Sequence, residues 1–135
     1  MSEPTEPLWI TYEQAIAIHS RQLRRFGGAP GLRDEGMLRS ALERPINKWQ
    51  YEQASLPELA AAYAFGLAKN HAFVDGNKRT GLHAALMFLA TNGLELPRDD
   101  ERLYEAMIAM AERRMSKDDL AALFRELAAP SAEPR

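Results

Sequence analysis

Apolar residues recur along this chain at intervals of three and four, the spacing of one face of an α-helix. The first such run follows Thr11, which forms a capping-box pattern with Gln14 and has Ile10 beside it as a staple. A helix is predicted to Phe26, with Ile16, His19, Leu23 and Phe26 on one face and Gly27-Gly28 as its stop. Asp34 caps a short second helix with Leu38, Ala41 and Leu42 inward. Pro45 is expected to end it, leaving residues 45–55 irregular or briefly helical. Leu56, Leu59, Tyr63 and Leu67 mark a third helix to about Asn70, apolar enough to be central. Leu82, Ala85, Leu86 and Leu89 mark a fourth, starting at Asn77 and stopped by Asn92-Gly93. Leu103, Met107 and Met110 outline a fifth to about Arg114. Ser116 with Asp119 opens a sixth that turns Leu120, Leu123, Phe124 and Leu127 inward. There is no repeat and no convincing strand pair. The pattern predicts an all-α fold of about six helices over residues 8–128, with a flexible lead over 1–7 and a flexible tail over 129–135.

Composition narrows the function. At 135 residues the chain is one domain with room for a real core. A net charge of −2 argues against direct nucleic-acid binding, which wants a basic excess. Cysteine is absent, which excludes disulfides, thiolate nucleophiles and cysteine metal sites. The N-terminus lacks the basic and apolar regions of a signal peptide, and no apolar run is long enough to span a membrane. A cytoplasmic protein without a membrane partner is the expectation.

Between the third and fourth helices lies His71-Ala-Phe-Val-Asp-Gly-Asn-Lys-Arg-Thr-Gly-Leu82, the polar interruption on which the chemistry concentrates. Lys78 and Arg79 fall in the first turn of a helix, where the macrodipole is already positive. A cation there is unfavourable by roughly 0.3–1 kcal/mol unless an anion joins it. Each neighbour suits such an anion. His71 carries an imidazole able to move a proton near neutrality. Asp75 is a hard oxygen ligand suited to Mg²⁺ when a polyphosphate supplies further oxygens. Gly76 lets the backbone come close, and Asn77 can cap the helix while other first-turn amides stay free for phosphate. Phe73 plugs the loop into the core. Base, metal ligand and anion cradle together read as phosphoryl-type transfer. Taken singly, each has a plainer reading: a histidine satisfying a helix C-terminus, an Asp-Gly turn, a solvated Lys-Arg pair.

The stretch resembles the signature of the Fic superfamily, His-Pro-Phe-x-(Asp/Glu)-Gly-Asn-Gly-Arg-x-x-Arg. It is similar above all to the death-on-curing (Doc) branch, whose version reads His-x-Phe-x-Asp-x-Asn-Lys-Arg-Thr. His71, Phe73, Asp75, Asn77, Lys78, Arg79 and Thr80 match that branch, and the likeness extends to Arg25-Phe26-Gly27-Gly28-Ala29-Pro30-Gly31. The resemblance covers about residues 8–127. It implies His71 as the catalytic base for a target hydroxyl and Asp75 as the Mg²⁺ ligand. Gly76, Asn77, Lys78 and Arg79 then bind the phosphates of ATP or another nucleoside triphosphate, and Phe73 anchors the loop.

Three positions depart from the AMP-transferring pattern: Ala72 for proline, Lys78 for the second glycine and Leu82 for the last arginine. The lysine fills space that glycine leaves for nucleotide phosphates, and one phosphate clamp is missing. The Doc branch implies instead transfer of the γ-phosphate to a threonine of elongation factor Tu, which halts translation, by the toxin of a toxin–antitoxin pair. The alternatives are AMP transfer on the same scaffold and a catalytically silent binding module. The inhibitory pattern (Ser/Thr)-x-x-x-Glu-(Gly/Asn) is absent, its nearest approach being Thr91 to Glu95 followed by Leu96. Restraint is therefore expected from a cognate antitoxin whose disordered segment folds into an apolar groove. His19 is expected to be a core or groove residue, and Arg21, Arg24 and Arg25 a solvated face. His83 stays open between surface and cleft.

Overall fold

A computed structural model describes residues 5–97 and 101–130. Six helices follow one another among them: α1 (Tyr12–Phe26), α2 (Glu35–Glu52), α3 (Leu56–Asn70), α4 (Asn77–Thr91), α5 (Glu101–Ala111) and α6 (Lys117–Leu127). The all-α expectation holds. Three of the helices open on reciprocal capping boxes, at Thr11/Gln14, Ser55/Glu58 and Ser116/Asp119. Those bonds draw the Glu58 and Asp119 carboxyls below their ordinary range, because the backbone N–H groups of Ser55 and Ser116 favour the charged forms.

Helices α3 and α4 form the central pair. Helices α2 and α6 pack on α3, and α1 lies across α4. Leu59, Tyr63 and Leu67 of α3 and Phe88 and Leu89 of α4 are fully buried. Gly81 lets the two backbones close up, since a β-carbon there would sit 2.8 Å from the Ala64 carbonyl oxygen. The Ile10 N–H donates to the Tyr63 hydroxyl at 3.0 Å, tying the segment before α1 to the middle of α3. Burial pushes the Tyr63 phenol up to about 12, although the Ile10 N–H favours its ionised form.

Four expectations change. Helix α1 buries Ala15, Ile18, His19 and Gln22, so its inner face is rotated from the predicted one and Phe26 is exposed. Pro45 does not end α2: it sits buried inside a helix that runs on to Glu52 and stops at Gln53 in the left-handed region. The ring joins Leu38, Ala41 and Leu42 on the buried face, and that packing offsets one lost backbone hydrogen bond. Residues 45–52 are accordingly helical. A short strand pair also exists, with Leu94–Glu95 (β1) antiparallel to Ala129–Pro130 (β2). Tail residues 131–135 and lead residues 1–4 lie outside the described residues.

Candidate active site

Helix α3 ends at His71, whose φ of 50° places it in the left-handed region. That conformation costs a residue with a β-carbon about 1–2 kcal/mol and turns the chain sharply toward α4. The loop that follows is tied down from both sides. Asn77 reaches back, its Oδ1 accepting from the Phe73 N–H and its Nδ2 donating to the Phe73 carbonyl, each at 3.0 Å. From the other side, residues 29–34 run along the loop. Arg33 and Asp34 N–H groups donate to the Ala72 carbonyl at 2.7 and 3.0 Å, and the Val74 N–H donates to the Gly31 carbonyl at 3.0 Å. Phe73 is buried.

Asn77 was expected to cap α4, and it does not. Gly76 holds the cap position in the left-handed region at φ 77°, and no side chain caps the first turn. Thr80 N–H bonds the Gly76 carbonyl at 3.0 Å. The Asn77 amide is committed to Phe73, and the amides of the first turn itself carry no side-chain cap; the one carboxylate at this terminus, Asp75, sits on the Gly76 N–H. That is the arrangement of a helix terminus that receives anions. Lys78 is exposed there, and Arg79 is half-buried. Among the described residues neither forms an ion pair.

The Asp75 carboxylate is oriented by backbone. Its Oδ1 accepts from the Gly76 N–H at 2.9 Å and its Oδ2 from the Ala29 N–H at 3.2 Å. Gly28 makes this approach feasible, because a β-carbon on it would stand 2.9 Å from Asp75 Oδ2. Each carboxylate oxygen keeps lone-pair capacity for a cation. No group of three or more metal-ligating side chains occurs among the described residues. One carboxylate beside an anion cradle fits Mg²⁺, which is ordinarily held by one or two carboxylates with phosphate and water supplying the rest.

A cleft of about 460 Å³ gathers His71, Asp75, Gly76, Asn77, Lys78 and Arg79 on one wall. The other walls bring residues that the sequence did not single out for the site: Gln22, Leu23, Gly28 and Tyr104. The Arg79 guanidinium carbon lies 3.8 Å from the Phe26 ring centroid and 4.2 Å from that of Tyr104. Phe26 and Gly28 fall in the glycine-rich stretch whose likeness was legible, whereas Tyr104 had no signal beyond its place in an amphipathic helix. His19, expected in the core or a groove, is buried against this loop. Arg21, Arg25 and His83 line a second groove of about 440 Å³ with Ile18, Leu86 and Met87, and Gln22 borders both cavities.

Residues 9–89, the span holding the whole cleft wall from α1 to α4, match the model of the Fic/DOC family. The chain belongs to that family. It is similar to a protein named "Protein kinase doc" from Escherichia phage P1, with 34% identity over 119 residues covering 87% of this chain and 94% of the relative. It is also similar to "Toxin Doc" from Mycolicibacterium smegmatis, with 42% identity over 102 residues covering 72% of this chain and 78% of the relative. The matched span of this Fic/DOC chain includes the cleft residues His71, Asp75, Gly76, Asn77, Lys78 and Arg79. No helix among the described residues is long and apolar enough to cross a membrane.

Proposed function

We propose that this chain is a toxin that transfers the γ-phosphate of ATP to a protein hydroxyl, with a threonine of a translation factor such as elongation factor Tu as the acceptor. The observation that carries the reading is the start of α4, which no side chain caps and where Lys78 and Arg79 stand in the first turn and line the same cleft as His71. A helix start with two cations and no side-chain cap on its first turn is suited to a multiply charged anion. The name of the phage relative, a protein kinase, favours phosphate over nucleotide as the transferred group.

His71, exposed at the cleft, accepts the acceptor hydroxyl's proton while that oxygen bonds to the γ-phosphorus. The bond from the γ-phosphorus to the β–γ bridging oxygen breaks, and ADP leaves with its electron pair. Lys78, Arg79 and the α4 amides hold the phosphate charge in place. Mg²⁺ bound at Asp75 would neutralise the polyphosphate and align it. Dependence on ATP and a translation factor puts the reaction in the cytoplasm.

Restraint is assigned to a cognate antitoxin, whose disordered segment folds into the second groove. Apolar Ile18, Leu86 and Met87 with the cations Arg21 and Arg25 suit an acidic amphipathic helix.

ATP labelled at the α or the γ position tests the reaction. Incubation with a bacterial translation extract should leave only γ-label on protein, and His71→Ala should lower it by a factor of 10² or more. Retention of α-label would establish AMP transfer instead. No protein label, with growth inhibition unchanged by His71→Ala, would establish a binding module.

A further inference from the structure

Helix α1 contributes one polar ring to the underside of the active-site loop. His19 is only 5% exposed. Its imidazole lies flat on Phe73, with centroids 3.8 Å apart and 8° between planes. Its Nε2 is 2.8 Å from the Asp75 carbonyl oxygen. A carbonyl only accepts, so Nε2 must carry the hydrogen. The same edge of the ring faces Gly76, where an added β-carbon would stand 3.7 Å from both Cδ2 and Nε2. One side chain therefore touches the loop at Phe73 and at Asp75 and closes the space beside Gly76.

The Asp75 side chain is held from its far end by the Gly76 and Ala29 N–H groups, and Ala29 belongs to a glycine-rich loop. The main chain at Asp75 needs its own anchor if the carboxylate is to keep one position. Within the described residues, His19 supplies a bond to that carbonyl. Phe73 fixes the height of the ring and the hydrogen bond fixes the peptide at Asp75. Residues that orient a metal ligand in this way typically change metal affinity 10–100-fold when they are lost.

We propose that His19 is a positioning residue: its Nε2–H holds the Asp75 peptide so that the carboxylate and the turn into α4 are ready for a metal–polyphosphate group. The proposal rests on the phosphoryl-transfer reading above. Packing alone would be served by any flat ring, and positioning requires the donor. Two substitutions separate these roles. His19→Phe keeps the stack and removes the donor, while His19→Gln removes the stack and keeps a donor at similar reach.

Mn²⁺ binding in the presence of a non-hydrolysable ATP analogue, followed by electron paramagnetic resonance, gives a readout independent of turnover. His19→Phe should raise the half-saturating Mn²⁺ concentration about 10-fold or more, and His19→Gln should stay within about threefold of wild type. Hydrogen exchange at the Gly76 amide should accelerate in the Phe variant and much less in the Gln variant. Nitrogen NMR of the wild-type imidazole should show hydrogen on Nε2. Wild-type Mn²⁺ affinity in His19→Phe would overturn the proposal, as would equal losses in both variants or a neutral ring protonated only on Nδ1. Should His19→Phe fail to fold, the wild-type imidazole spectrum and the Gln variant still decide. If the wild-type chain itself binds no Mn²⁺–nucleotide, the phosphoryl-transfer reading fails. The anchoring of the loop by His19 is then judged on exchange and NMR alone.

Discussion

Two aromatic rings lie against the half-buried Arg79 guanidinium. Phe26 and Tyr104 lie 3.8 and 4.2 Å from its guanidinium carbon. Each such stack contributes about 0.5–1 kcal/mol at a partly exposed site. The rings leave the guanidinium's N–H groups, which bond phosphate oxygens, without an aromatic acceptor of their own, and restrict where the cation can lie. Tyr104→Leu keeps an apolar side chain but removes one of the two rings. It should raise the KM for ATP about three- to tenfold with a smaller change in kcat, read by steady-state label transfer. An unchanged KM would mean that Phe26 and the α4 backbone alone fix Arg79. Arg79 was legible from its place in a helix start. Tyr104 was not, because it arrives from α5 and its own helix offers only the periodicity of Leu103, Met107 and Met110.

At the scale of elements, the site is the gap between the end of α3 and the start of α4, so the spacing of those helices sets the spacing of the chemistry. Gly81 controls that spacing. A β-carbon there would meet the Ala64 carbonyl oxygen at 2.8 Å and the Ala68 nitrogen at 3.4 Å, both backbone atoms that cannot swing away. Gly81→Ala gains about 1 kcal/mol of helix propensity and loses more to overpacking, on the order of 1–3 kcal/mol. The net expectation is a lower denaturation midpoint together with weaker nucleotide binding, since His71 and Lys78 are carried apart. A more stable variant with unaltered binding would show that the helices are not in such close contact. The helices themselves were legible because capping boxes and apolar spacing are local signals. Pro45 misled because its penalty is local while the packing that offsets it is not. The real inner face of α1 was only partly legible for a related reason: His19 was placed on it, but Gln22 looks polar in sequence and its burial depends on what packs over the helix. Asn77 was read as a cap from its position, but Gly76 had already taken the cap and freed the amide to clamp Phe73.

The molecule as a whole carries a net charge of −2, yet Arg21, Arg25, Lys78 and Arg79 line the two cavities that meet at Gln22. On the proposed function the cleft at His71 receives a polyphosphate, and the second groove, with Ile18, Leu86 and Met87 beside Arg21 and Arg25, receives a peptide helix with acidic residues along one side. The cations of the groove stand on α1, outside the proposed catalytic wall, so the two functions should be separable by mutation. Reversing both groove charges, Arg21→Glu with Arg25→Glu, should leave γ-label transfer within about twofold of wild type. In cells, induction of the wild-type chain should arrest growth, and co-expression of the small protein encoded beside it should relieve the arrest. The double variant should arrest growth equally but resist relief, because each reversed charge repels an acidic segment. Full relief of the double variant would place the antitoxin elsewhere on the surface, and growth unaffected by the wild-type chain would end the toxin reading itself.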